Sequence, residues 1–334
     1  MDRGQPDEVA VRAAVSLACR APSVHNSQPW RWKLDERGLH LYADWSRSLP
    51  ATDPHGADLI MSCGAALHHV RVGFASLGWR AIVHRLPDPG EADHLAAIEF
   101  DEQEPTASDV ALAAAIPRRR TDRRAYSSWS VPRGLLEPLV DRASAEGVLA
   151  REVIDPSERH HLLSAITEAA VAQEADPEYR SEVHTWSGTR MGSTEGVPAA
   201  NIPSGEHRYG DVQVRGFPSG ELPQPEGSRL ADDAGTLFVL STSSDDTLSR
   251  LRAGEATSAV LLEATSAGLA ACPLSQPLEV KHTKELVRDH VLGDSMSPQM
   301  VLRIGWAALN ADPLPPTPRR PTSDVFDDLT REGA

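Results

Sequence analysis

The sequence predicts a chain of mixed helix and strand built from two related halves, and three observations carry this. Its 334 residues, 40% of them hydrophobic, suffice for one large core or two ordinary ones. Helical and strand-like apolar periods interleave along most of its length. Gly64-Ala65-Ala66-Leu67 lies over Gly254-Glu255-Ala256-Thr257 at an offset of 190, and the same offset puts Ser76 on Ser266, Gly78 on Gly268 and Ala81 on Ala271. The competing explanation is that small-residue helices ending in glycine look alike.

Asp7 and Glu8, ahead of Val9, Ala13, Leu17 and Ala18, open a first helix. Residues 21–32, APSVHNSQPWRW, follow, and Pro22 and Pro29 exclude a regular helix there. Trp30 and Trp32 alternate with Arg31 and Lys33 as a half-buried strand does, and 39–43 reads as its neighbour across the Glu36-Arg37-Gly38 turn. The small-residue stretch 57–77 is a buried helix ending at Gly78, with strands at 80–86 and 96–100 and a short helix capped by Ser108 running to Ile116. The second half gives helices at 132–146, 156–175 and 246–267 and strands at 148–154, 235–240, 269–275 and 298–306. Residues 187–229 differ: many glycines and prolines, few aliphatics and no sustained period mark a long loop that orders only against something already folded. The tail from Asp312 is proline-rich and carries Arg319-Arg320.

A net charge of −15 argues against non-specific attraction to nucleic acid or anionic membrane. Cys19, Cys63 and Cys272 are widely spaced and suit a reducing compartment. With neither a signal peptide nor a membrane-length apolar run, the expected location is cytoplasmic. The adjacent pairs His68-His69 and His160-His161 point apart on a helix and give no metal set.

Two stretches carry candidate chemistry. Between Pro22 and Pro29 sit Ser23, His25, Asn26, Ser27 and Gln28, a dense group of neutral donors and acceptors. Side chains that both donate and accept match the mixed edge of a pyrimidine-like ring; they also suit a turn that satisfies its own backbone. Residues 118–124 hold five arginines in an acidic protein. Guanidinium forks bind phosphate in a bidentate manner, and a solvated basic turn or an RNA contact is the other reading.

The run Pro-Ser-x-x-Asn-x-Gln-Pro-Trp at 22–30 resembles the flavin-edge loop of the nitroreductase family, and APSVHNSQPW is most similar to its Acg-like actinobacterial branch. Arg119-Arg120-Thr121-Asp122-Arg123 resembles the family's Arg-Arg-Ser-x-Arg motif, with Thr121 in the serine place. The resemblance runs from about residue 10 to about residue 325. It implies an α+β nitroreductase-like fold, two fused halves forming a pseudo-dimer in one monomeric chain. On this reading residues 1–115 are the first half, 116–310 the second and 311–334 a basic-pair tail. It implies FMN as cofactor, held by Pro22, Ser23, Asn26, Gln28, Arg119, Arg120, Thr121 and Arg123. Arg119 and Thr121 would meet phosphate and ribityl oxygens, and Arg123 the N1–O2 side of the ring. Ser275 and Gln276 would pass near the flavin, and Arg319 and Arg320 would close on the phosphate or form a charged tail. His25 would assist chemistry or orient its loop. The implied activity is NAD(P)H-dependent two-electron reduction of a nitro-aromatic or quinone-type acceptor. Should 187–229 fold over the flavin as a lid, with Trp186 and 190–198 as cover, the alternative is an FMN store with little turnover.

Overall fold

A computed structural model of the chain describes residues 4–189, 193–205, 207–226 and 230–331. At its centre the helices Ala57–Ser76 and Thr247–Ser266 cross. Most of both helices is buried, which is why neither shows an amphipathic stripe in sequence. Gly64 and Gly254 make the crossing possible. A Cβ on Gly64 would stand 2.0 Å from the Leu251 carbonyl oxygen, and one on Gly254 would stand 2.0 Å from that of Met61. Met61 and Leu251 are themselves 190 apart, so the contacts are reciprocal, as they are across a two-fold axis. His68 Nδ1, 2.9 Å from Ser258 Oγ, joins another pair of equal separation.

Each long helix lies against an antiparallel sheet. One sheet runs Trp30–Asp35, Gly38–Ala43, His94–Glu102, Trp79–Arg85, and the other Leu149–Glu152, Thr236–Thr242, Ser297–Gly305, Ala270–Leu274. Numbered along the chain within each set, both read 1-2-4-3, with the long helix between strands two and three. In the first set a two-residue turn joins strands one and two; in the second, residues 153–235 are inserted there. The tail returns across the molecule, and Phe326–Asp328 pairs in parallel with Trp30–Asp35 at the edge of the first sheet.

Two main cores result. One gathers Trp30, Trp32, Leu41, Leu67 and Phe100, and the other Leu139, Phe238, Leu240, Leu261 and Leu302. Leu251 packs in the first and Met61 in the second, each crossing to the opposite side. The expected helices and strands all lie within two residues of the observed ends; the largest differences are at strand ends, 96–100 extending to His94–Glu102 and 148–154 shortening to Leu149–Glu152. The expected Ser108 cap is corrected. Thr106 caps the helix Ala107–Ala115 and forms a capping box with Asp109, whose carboxylate reaches back to the Thr106 amide. Among the described residues no helix is long and apolar enough to cross a membrane.

Candidate functional site

A cleft of about 880 Å³, mouth included, opens beside the helix crossing. Asp58, Met61, Ser62 and Ala65, spaced to share one helix face, form one wall, and Gly254 and Thr257 of the partner helix contribute beside them. Pro22, Ser23 and His25 come from the opening loop, and Thr121 and Arg123 from the arginine-rich stretch.

The opening loop is strained. His25, Asn26 and Gln28 all have left-handed backbones, with φ of 47°, 56° and 52°. Non-glycine residues hold such angles only where surroundings over-determine them. Ser23 Oγ accepts the Gln28 amide at 3.0 Å, and Ser62 Oγ accepts that of Val24 at 3.2 Å. The Asn26 amide donates to the carbonyls of Gly196 (3.0 Å) and Pro318 (3.1 Å). Gln28 donates to Thr194 O at 2.8 Å and accepts from the Arg320 amide at 2.9 Å. Asn26 and Gln28 therefore do not line the cleft; their side chains tie it to residues 194–196 and to the tail. His25 is buried, with Nε2 3.2 Å from Thr52 Oγ1 and its ring edge-on to Phe217 at 5.6 Å. Burial, then the charges of Arg215 and Arg123, push its pKa well down and keep it neutral.

A smaller pocket of about 240 Å³ adjoins the chain that forms this wall, lined by Arg20, Ile116, Arg119, Arg120, Thr317 and Arg319. Its cations lack counter-charges: among the described residues no carboxylate lies within 4.0 Å of any of the four guanidiniums. Buried Nε atoms of Arg20, Arg119 and Arg319 and Nη1 of Arg119 have no hydrogen-bond partner among the described residues. Arg319 instead donates to the carbonyls of Thr317, Pro318, Arg20 and Ala21. Burial, then the charge of Arg120, lowers the Arg119 pKa to about 10; burial, then Arg119, lowers that of Arg319 to about 9.

Of the other arginines, Arg123 reaches the cleft with its guanidinium 5.0 Å from the Phe217 ring centre. Arg124 pairs with Asp122 and Arg118 is exposed. Arg320 turns away to Asp324 O (3.0 Å) and Gln28 O (3.4 Å), separate from Arg319. Sequence reasoning missed Arg20, whose one local signal is its place just before the opening loop.

Ser275 and Gln276 line the cleft with their polar groups engaged, Ser275 Oγ on Glu279 at 2.7 Å and Gln276 Nε2 on Gln173 at 2.8 Å. Gln213, Val214, Arg215 and Phe217, all from 187–229, also face it. This segment lies on folded partners as expected: Val197, Ile202 and Phe217 pack with Tyr179 and Val183, while Tyr209, Val212 and Val214 join a further core. Arg215 anchors it by an ion pair to Glu279. Trp186 lies under Arg47 at 5.6 Å and is not among the cleft-lining residues. Of the expected cover, 190–192, 206 and 227–229 fall outside the described residues.

Residues 116–306 match the sequence model of the nitroreductase family. A Mycobacterium tuberculosis H37Rv protein named "Putative NAD(P)H nitroreductase Rv3131" is 49% identical over 322 residues, covering 96% of this chain and 92% of its own. The chain belongs to the nitroreductase family. Another M. tuberculosis member with the same designation, acg, is 37% identical over 322 residues and covers 95% of both chains. The FMN-dependent nitroreductase NfnB of Mycobacterium smegmatis, solved in complex with NADPH, covers 64% of this chain and 96% of its own at 16% identity, with a TM-score of 0.40. The nitroreductase fold is α+β, and here its two antiparallel sheets flank the crossed helices.

Proposed function

We infer that this nitroreductase is an FMN-dependent NAD(P)H oxidoreductase in which one flavin site is assembled from both halves of a fused pseudo-dimer. The observation that carries the reading is the basic pocket. Four guanidiniums without a counter-anion among the described residues, several of their nitrogens buried and unpartnered there, are costly unless an anion completes them. A phosphate monoester supplies that charge and acceptors for forked donors. A flat ring suits the cleft, whose Pro22, Ser23 and Thr121 follow Arg20 and Arg120 closely in the chain. Arg20 and Ser23 come from the first half, Arg119 and Arg123 from the second, so neither half supplies a site alone.

Bound there, FMN would relay two electrons from NAD(P)H to a nitro-aromatic or quinone-type acceptor. The chain's own part is to fix the phosphate through Arg20, Arg119, Arg120 and Arg319, to set a fixed positive charge at Arg123, and to exclude water. Neutral His25 gives no cation to this site. Mixing the protein with FMN and riboflavin tests the reading: FMN should bind far more tightly, at one equivalent per chain, and equal affinities would oppose it.

The second reading, an FMN store, is favoured by one observation. Phe217 and Arg215 bring residues 187–229 into the cleft itself, and Asn26 and Gln28 fasten the same segment at 194–196. A nicotinamide needs van der Waals access to the ring. Slow reduction by NAD(P)H that quickens when this segment is loosened would support storage.

A further inference from the structure

The cleft contains an acid with no part in holding FMN. Asp58 lies in the first turn of the helix Ala57–Ser76, is 6% exposed and lines the cleft on the same helix face as Met61, Ser62 and Ala65. Its carboxyl has no hydrogen-bond or ion-pair partner among the described residues.

Every neighbouring charge is otherwise engaged. Asp53, on the preceding loop, accepts the amides of Ala57 (2.7 Å) and Leu59 (2.8 Å). Glu279, on the helix Gln276–Glu279, is paired with Arg215 from the 187–229 segment and accepts from Ser275 and Gln173. Lys284, on the helix Lys281–Val291, is held by Asp245 at 2.8 Å. His25, across the cleft, is neutral. Burial first, then the Asp53 and Glu279 carboxylates, raise the Asp58 pKa well above the ordinary range, with Arg215 and Lys284 opposing. Burial raises the Asp53 pKa too, but its carboxylate accepts backbone amides while that of Asp58 accepts none among the described residues, so of the two Asp58 is raised further and keeps the proton.

We propose that Asp58 is a catalytic acid, delivering a proton from its carboxyl to an oxygen of the acceptor in this cleft. The proposal rests on the oxidoreductase reading. Reducing a quinone by NAD(P)H consumes one hydride equivalent and one proton. The hydride equivalent comes from NAD(P)H, which leaves oxidised, and serves one quinone oxygen. The proton leaves Asp58 for the other oxygen, giving the hydroquinone. The carboxylate left behind, close to the charge of Arg215, regains its proton from water as product departs. Among the described cleft-lining residues a buried, protonated carboxyl is the strongest acid at neutral pH; the Cys272 thiol, raised by burial, and the guanidiniums hold their protons more tightly.

The test uses the FMN-loaded protein, wild type, Asp58→Asn and Asp58→Glu. Reducing the flavin with dithionite removes the dependence on NAD(P)H, and benzoquinone is then mixed in by stopped flow in H2O and D2O. Asp58→Asn should slow reoxidation by about 100-fold and shrink its solvent isotope effect to the part due to the exchangeable N5 hydrogen of the reduced flavin, with Asp58→Glu recovering much of both. Reduction by NADPH and FMN affinity should stay near wild type. Infrared spectra of the flavin-free protein supply an independent readout. Wild type should keep a protonated-carboxyl band well above pH 4, where an exposed aspartate ionises, and Asp58→Asn should lose it. Reoxidation of Asp58→Asn at the wild-type rate, equal slowing of both half-reactions, or an ionised Asp58 at neutral pH would overturn the proposal. If dithionite-reduced protein behaves as expected while NADPH fails to reduce the flavin, only the NAD(P)H reading falls. A protein that binds no flavin overturns both.

Discussion

Replacing Arg119 by methionine should have opposite effects on the empty and the loaded protein. Methionine keeps the length of the buried side chain and removes its charge. In the empty protein Arg119 faces other guanidiniums, and its pKa is lowered to about 10 by burial and then Arg120. At ~1.4 kcal/mol per pH unit, that drop corresponds to roughly 3 kcal/mol against the charged native state. Arg119→Met should therefore raise the thermal midpoint of the flavin-free protein. The linkage sign agrees: an unfolded arginine keeps its proton near pH 10 where the native one releases it, so native stability rises with pH there, more in wild type than in the variant. With FMN the sign reverses. Losing one charge-assisted forked contact costs about 1.5–3 kcal/mol, or on the order of 10- to 100-fold in Kd, while riboflavin affinity hardly changes. Fluorescence titration with both flavins and thermal unfolding without flavin measure all of this. Equal losses for FMN and riboflavin, or a flavin-free variant less stable than wild type, would refute the anion-site reasoning.

Other consequences are checked separately. Gly64→Ala should cost about 3 kcal/mol or more by denaturant titration, since its Cβ would sit 2.0 Å from the Leu251 carbonyl; a near-neutral change would mean the helices separate freely. Phe217→Ala removes the ring between His25 and Arg123 and should speed flavin reduction by NADPH several-fold if 187–229 covers the site; an unchanged stopped-flow rate would leave that segment no gating role. Against partial desolvation, hydrogen bonds from Arg250 and Lys284 hold Asp245 down to about 2. Allowing for its half-exposed position, this contributes roughly 1 kcal/mol above pH 4, lost as pH falls through about 2. Asp245→Asn should therefore destabilise at pH 7 and not at pH 2, as read by urea unfolding.

Much of the fold could be read in advance because it is local. The helix 156–175 has Asp155 as cap and proline at its first position, and observed and expected spans coincide. The equivalence of the long helices showed as a constant offset because each needs glycine at the crossing. The strand Phe326–Asp328 was not legible: it pairs with residues about 300 positions earlier and has little apolar pattern. At the site, the loop and arginine stretch were found by residue type, and residue type does not say where a side chain turns. Asn26 and Gln28 have the right groups for a ring edge, yet their amides serve backbone carbonyls. Arg319 and Arg320 look alike in sequence, and successive residues of an extended tail point opposite ways. Arg20 and Asp58 stand in unremarkable runs, and long-range packing alone brings them to the pocket and cleft.

The most direct test of the account is anaerobic absorbance of the FMN-loaded protein titrated with NADPH and then with benzoquinone. The account expects one FMN per chain, its visible band bleached by NADPH and restored by the quinone. A protein that takes up no FMN, or a yellow one that NADPH leaves unbleached even with Phe217 replaced by alanine, would contradict it.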